Sequence, residues 1–163
     1  TNDPSGQKRL YERFVNPMAR LCTRYMKDEE DAADVLVEGF VKVFDSLKSF
    51  EYRNEQSLDA WIKRIMINQS LSALRKKRGN MLALEAVDLQ GHDQEPEFAA
   101  SEIIELVQLL PPGYRVIFNL AVVDGYSHKE IAQILEISES TSRSQLAHAR
   151  ARMKIILRKN GWE

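Results

Sequence analysis

The 163-residue sequence predicts an all-α protein of two helical domains joined by an acidic flexible linker, and three observations carry that expectation. Residues 126–153 hold two short apolar-periodic segments meeting at a tight turn, the pattern of a helix-turn-helix. From Leu10 to Arg75 nearly every segment repeats its apolar residues at helical spacing. Between these regions, residues 81–98 lack periodicity, contain Gly91 and Pro96, and carry acidic residues without any Lys or Arg. The expected organisation is a first domain over 1–80, a linker over 81–98 and a second domain over 99–163.

Along the first domain, Pro17 is expected to kink or start a helix. The run Asp28, Glu29, Glu30, Asp31 marks a helix start, because carboxylates there accept from free N–H groups and complement the helix dipole. That helix should continue through Asp34, Val35, Glu38, Val41, Val43, Phe44 and Leu47. A polar loop follows over Glu51–Ser57, and then an amphipathic helix from Leu58 ends in Arg75, Lys76, Lys77 and Arg78. Basic residues in a last turn can simply complement the dipole. Lys63 and Arg64 extend the positive surface further back than capping needs, which favours phosphate binding.

In the second domain, Ser127 followed by Glu130 is a capping box, so a helix starts at Ser127. Ile131, Ile134 and Leu135 repeat at helical spacing, Ala132 leaves room for a crossing helix, and Ile137 is expected to plug the corner. Glu136 occupies the turn, where Gly or Asn would accept a left-handed conformation at less cost. Ser138 caps the next helix. Its Leu146, Ala149, Met153 and Ile156 form one apolar stripe, leaving Ser140, Thr141, Arg143, Ser144, Ala147 and His148 on the other side. Short polar and cationic side chains there suit a major groove.

Composition narrows the function. The net charge of −1 conceals segregation: residues 1–80 hold 15 Lys+Arg against 12 Asp+Glu, residues 81–112 none against 7, and residues 113–163 hold 8 against 5. Two basic blocks flank an acidic one. No apolar run is long enough to span a bilayer and no charged-then-apolar leader opens the sequence, which predicts a cytoplasmic protein. Cys22 is the one cysteine and is expected to be a buried small hydrophobe. With only His92, His128 and His148 beside it, neither a metal site nor a cofactor is expected. No Gly-rich phosphate loop or nucleophile with an ordered base is present, so an enzyme is the remotest class. What remains is a DNA-binding protein, which without further motifs would be a helix-turn-helix repressor or activator with a helical dimerisation domain.

Residues 31–44 (DAADVLVEGFVKVF), 57–68 (SLDAWIKRIMIN) with 74–76 (LRK), and 111–120 (PPGYRVIFNL) followed by the helix-turn-helix occur in this order on either side of the acidic stretch. In that order they resemble a bacterial extracytoplasmic-function (ECF) sigma factor of group IV, an RNA polymerase initiation factor reduced to sigma regions 2 and 4. The resemblance covers nearly the whole chain. It implies that Asp34, Glu38 and Phe40 bind the polymerase, on the clamp helices of the beta-prime subunit, with region 4 meeting the beta flap. It further implies that Asn54, Glu55, Gln56 and Ser57 line a pocket for a base flipped from the minus-ten element, beside Trp61. Lys63, Arg64, Asn68, Arg75 and Lys76 would follow the strand backbone. Region 4 would read the minus-thirty-five element through Arg143, Ser144, Gln145 and His148, with Ser140, Thr141 and Arg150 on phosphates. Trp61 could equally be a core residue, and His148 a solvated one. Factors of this class catalyse nothing themselves and are often sequestered by an anti-sigma partner. The chain departs from the family pattern at Val37, usually Gln, at Ser72, usually Asp, and in a loop between Phe50 and Trp61 that is about two residues longer. Its Thr141–Leu146 run resembles the version common in Bacteroidetes.

Overall fold

Helix α1 spans Pro4–Tyr25, α2 Glu29–Ser46 and α3 Glu55–Arg78, with a single 3-10 turn over Leu47–Ser49. After residue 102 come α4 (Ile103–Gln108), α5 (Pro112–Phe118), a π-helical turn (Asn119–Val123), α6 (His128–Leu135) and α7 (Glu139–Lys159). The computed structural model describes residues 3–78 and 103–161. The linker expected over 81–98, and the boundaries at its two ends, lie outside the described residues. The chain divides into two units, Thr1–Lys77 and Arg78–Glu163. Among the described residues there is no strand, and no helix is long and apolar enough to cross a membrane.

In the first unit each helix start has a local cause. Asp3 accepts from the Ser5 N–H at 3.0 Å, and Pro4 at the first helical position lacks a donor that would have gone unused. Pro17 lies exposed inside α1, which continues through it to Tyr25. Asp28 Oδ1 accepts from the Glu30 and Asp31 N–H groups at 2.9 and 3.2 Å, as the acidic run predicts. Helix α3 starts at Glu55, ahead of the expected Leu58. Asn54 Oδ1 accepts from the Ser57 N–H at 2.7 Å while Ser57 Oγ accepts from the Asn54 N–H at 3.1 Å, so the end of the polar loop is the first turn of the helix.

The core of this unit joins Phe14, Met18, Leu21, Cys22 and Tyr25 of α1, Ala32, Val35, Phe40 and Val43 of α2, and Ile62, Met66, Ile67, Leu71 and Leu74 of α3. The Met66 side chain of α3 packs so closely over Gly39 of α2 that a Cβ there would collide with its sulfur. Cys22 is fully buried, and burial pushes its thiol up to about 11, the behaviour expected of a small hydrophobe.

The second unit packs Val107, Leu110, Tyr114, Val116, Ile117 and Leu120 against Ile131 and Ile134 of α6 and Leu146, Ala149, Met153 and Ile156 of α7. The apolar stripe expected on α7 is therefore its buried face. Arg115 is 1% exposed and donates from Nη1 to the Gln108 carbonyl at 3.3 Å, tying α5 to the end of α4. The capping box is present: the Ser127 N–H donates to Glu130 Oε2 at 2.8 Å and the Glu130 N–H to Ser127 Oγ at 3.3 Å. Glu136 takes the left-handed conformation at φ 57°, and Ile137, half-buried, donates its N–H to the Ala132 carbonyl at 3.0 Å. Ser138 then caps α7, accepting from the Thr141 N–H at 2.9 Å.

Candidate nucleic-acid and docking surfaces

The left-handed Glu136 ends α6 and Ser138 caps the start of α7 two residues later. With Leu146, Ala149 and Met153 turned inward, roughly 100° per residue places Arg143, Ala147, Arg150 and Lys154 on one outer stripe. All four are exposed, as are Ser140 and Ser144 beside them. Small residues between cations let a helix backbone approach a groove floor while the long side chains reach phosphates. Arg143 is held by Glu139 at 2.9 Å, an exposed pair that a nucleic acid could displace at little cost. Lys154 was not among the expected contacts, although its spacing of four from Arg150 is the signal that finds it.

Two expected contacts behave differently. Gln145 is only 9% exposed and sits with Leu146 on the inward side of α7, away from the exposed stripe of Arg143, Ala147 and Arg150. Thr141 is half-buried and its hydroxyl meets Ser138 Oγ at 2.8 Å within the cap. His148 is exposed, edge-on to the Tyr114 ring at 6.2 Å. A contact absent from the expectations is His128 Nδ1 with the fully buried Ser142 Oγ at 2.8 Å, which joins α6 to α7 inside the helix-turn-helix.

On α3, Trp61, Arg64, Asn68 and Arg75 are separated by three, four and seven residues and share a face. Asn68 and Arg75 are exposed, and Arg64 is half-exposed. Trp61 is half-buried and stacked on Phe50 at 4.5 Å, so it both closes the core and borders this face. Lys63 lies on another side of the helix, paired with Asp59 at 2.8 Å. Lys76 lines a shallow groove with Asp31, Asp34, Glu38 and Lys77. At the start of α3, Gln56 and Asn54 are exposed, with Asn54 Oδ1 and Ser57 Oγ engaged in the cap. Glu55 is paired with Arg13 of α1, which holds its carboxyl below the usual range through a hydrogen bond and charge.

The acidic face of α2 is similarly assembled from several helices. Asp34 and Glu38 are exposed beside Val37 and Val41, which are 65% and 53% exposed. Glu38 accepts from the amide of Gln69, and Asp31 is paired with Lys77. Phe40, expected on the docking face, is 3% exposed and packs against Tyr11 at 4.8 Å and Phe44 at 6.0 Å. Its aromatic ring was legible, but which side of α2 faces α1 was not. Among the described residues no cluster of His, Cys, Asp or Glu could hold a metal ion.

Residues 10–80 match the family model for Sigma-70 region 2, and residues 100–153 match that for Sigma-70, region 4. The chain is 30% identical over 157 residues to the ECF RNA polymerase sigma-E factor of Haemophilus influenzae, with 86% of this chain and 82% of that protein covered. It is 26% identical over 141 residues to RNA polymerase sigma factor SigV of Bacillus subtilis, with 86% and 84% covered. Two solved structures share the fold. The sigma factor RpoE in complex with the anti-sigma factor NepR from Bartonella quintana aligns with a TM-score of 0.61 at 20% identity, covering 93% of this chain and 96% of that one. CnrH in complex with the cytosolic domain of CnrY aligns with a TM-score of 0.56 at 22% identity, covering 98% and 92%.

Proposed function

The chain belongs to the ECF RNA polymerase sigma factors, which are transcription initiation factors, and we propose that it binds core RNA polymerase and directs it to specific promoters. In this reading region 4 recognises the minus-thirty-five duplex and region 2 melts the minus-ten element and captures one strand. The observation that carries it is the exposed face of α7, where Arg143, Ser144, Arg150 and Lys154 stand clear of the core beside small side chains. Ser140 at the start of that helix is assigned to a phosphate, and His148 to the groove edge.

For region 2, Gln56 and the capped turn Asn54–Ser57 are assigned to the flipped base, and Trp61, Arg64, Asn68 and Arg75 to the single strand. Melting costs a few kcal/mol per unstacked step, so a factor without ATP hydrolysis recovers that free energy by holding extruded bases and backbone. Lys63 and Lys76 contribute positive potential from the flanks. Asp34 and Glu38 dock on the beta-prime clamp helices, region 4 meets the beta flap, and an anti-sigma protein is the expected inhibitor. The chain acts in the cytoplasm as a binding protein and performs no chemistry of its own. Its Thr141–Leu146 run supports placement with the Bacteroidetes members of group IV.

Run-off transcription with core polymerase from the same bacterial group tests the reading. Wild type should give promoter-specific transcript, lost on charge reversal of Asp34 and Glu38 and on Arg143→Ala. Specific duplex binding by the protein alone, with no dependence on core polymerase, would move the chain to the repressor class.

A further inference from the structure

Gln69 is 4% exposed, a polar side chain on the buried side of α3 near the core residues Met66 and Leu71. Its Nε2 donates to Glu38 Oε2 on α2, 31 positions away. A carboxylate can only accept, so this contact fixes which way the amide points. The consequence is that Oε1 is turned inward, where no donor among the described residues reaches it. A buried acceptor left without a donor is unfavourable, and an exposed carboxylate would be well hydrated without Gln69. Fold stability therefore does not explain this glutamine. What the contact does provide is orientation: an exposed Glu side chain samples many rotamers, and a donor anchored in the core restricts it to one.

We infer that Gln69 is a positioning residue for polymerase docking, holding the Glu38 carboxylate ready for a cationic side chain of the partner. This rests on the reading of Asp34 and Glu38 as the docking carboxylates. A carboxylate ordered before binding loses less rotamer freedom when the partner arrives, and a charge-assisted hydrogen bond is strong enough to select one rotamer. Asp31, the next carboxylate on the same side, is paired with Lys77, while Asp34 and Glu38 line the same groove with Lys76.

The test is a double-mutant cycle on the full chain, with affinity for core RNA polymerase and thermal midpoint measured together. Gln69→Met has similar length and no donor, and Gln69→Leu is the second variant should Gln69→Met lower the midpoint. The expected result is an affinity about three- to tenfold weaker with the midpoint unchanged or raised, and no further loss when the change is made in a Glu38→Ala background. Equal losses in both backgrounds, or no loss in wild type while Glu38→Ala does weaken binding, would overturn the role of Gln69. If Glu38→Ala leaves affinity unchanged, the docking reading falls and takes the role of Gln69 with it.

Discussion

The two units build their polar surfaces in opposite ways. In the second, the groups that shape the outward face are sequence neighbours: Ser127 with Glu130, Ser138 with Thr141 and Arg143 with Glu139 are three or four positions apart. In the first, Arg13 reaches Glu55 across 42 positions, Gln69 reaches Glu38 across 31 and Lys77 reaches Asp31 across 46. A helix-turn-helix is specified by caps and a turn, so its recognition face follows from local chemistry. The face of the first unit exists only once three helices have packed.

The sharpest way to break this comparison is where Gly39 of α2 packs under the Met66 side chain of α3. Gly39→Val would drive side-chain atoms into Met66 and should destabilise the first unit by about 2–3 kcal/mol. Urea denaturation should then show the first unit unfolding at lower denaturant while the second keeps its transition. An unchanged first transition would mean that α2 and α3 can separate without loss, and that the first surface is less dependent on packing than argued.

A smaller effect is expected where the structure is local. Ser127→Ala removes the capping box and should lower the stability of the second unit by about 1 kcal/mol, with Ser127→Thr retaining most of it. Binding to minus-thirty-five duplex should fall with it at temperatures near the transition. A loss confined to the first unit would contradict the assignment of this cap.

The smallest effect concerns the exposed Arg13–Glu55 pair. The Glu55 carboxyl is depressed by Arg13, so the pair contributes above the unfolded carboxylate value of about 4.3 and its contribution is lost as pH falls through the lower folded value. Wild type and Arg13→Ala should therefore differ slightly near neutrality and converge in acid, measured as thermal midpoints across a pH series. High salt should shrink the neutral-pH difference too, since the pair is open to solvent. A difference that persists in acid would show that Arg13 acts by packing on Phe14, over whose ring its guanidinium lies at 5.3 Å.

Legibility tracked locality. The helix starts at Asp28, Ser127 and Ser138 and the inward stripe of α7 were readable because each depends on residues within one or two turns. The start of α3 was missed because Asn54 and Ser57 read equally well as an exposed turn. Gln145 and Phe40 were misplaced for a shared reason. Both are of a type that occurs on either side of a helix, and the side is chosen by a neighbouring element. Lys154 could have been found from the period of α7, whereas nothing near Gln69 in the chain points to Glu38.

By itself the sequence determined the helical class, the helix-turn-helix with its two caps, the basic outer face of α7 and the order of motifs that identifies the family. Those features depend on side chains within a few residues of one another, where backbone geometry leaves few alternatives. The tertiary structure alone decided which polar groups of the first unit are paired, buried or left on the surface. Such pairings join residues 31 to 46 positions apart, and their partners are set by how the apolar faces of three helices pack together. Packing of that kind is cooperative, so no single stretch of the chain contains it.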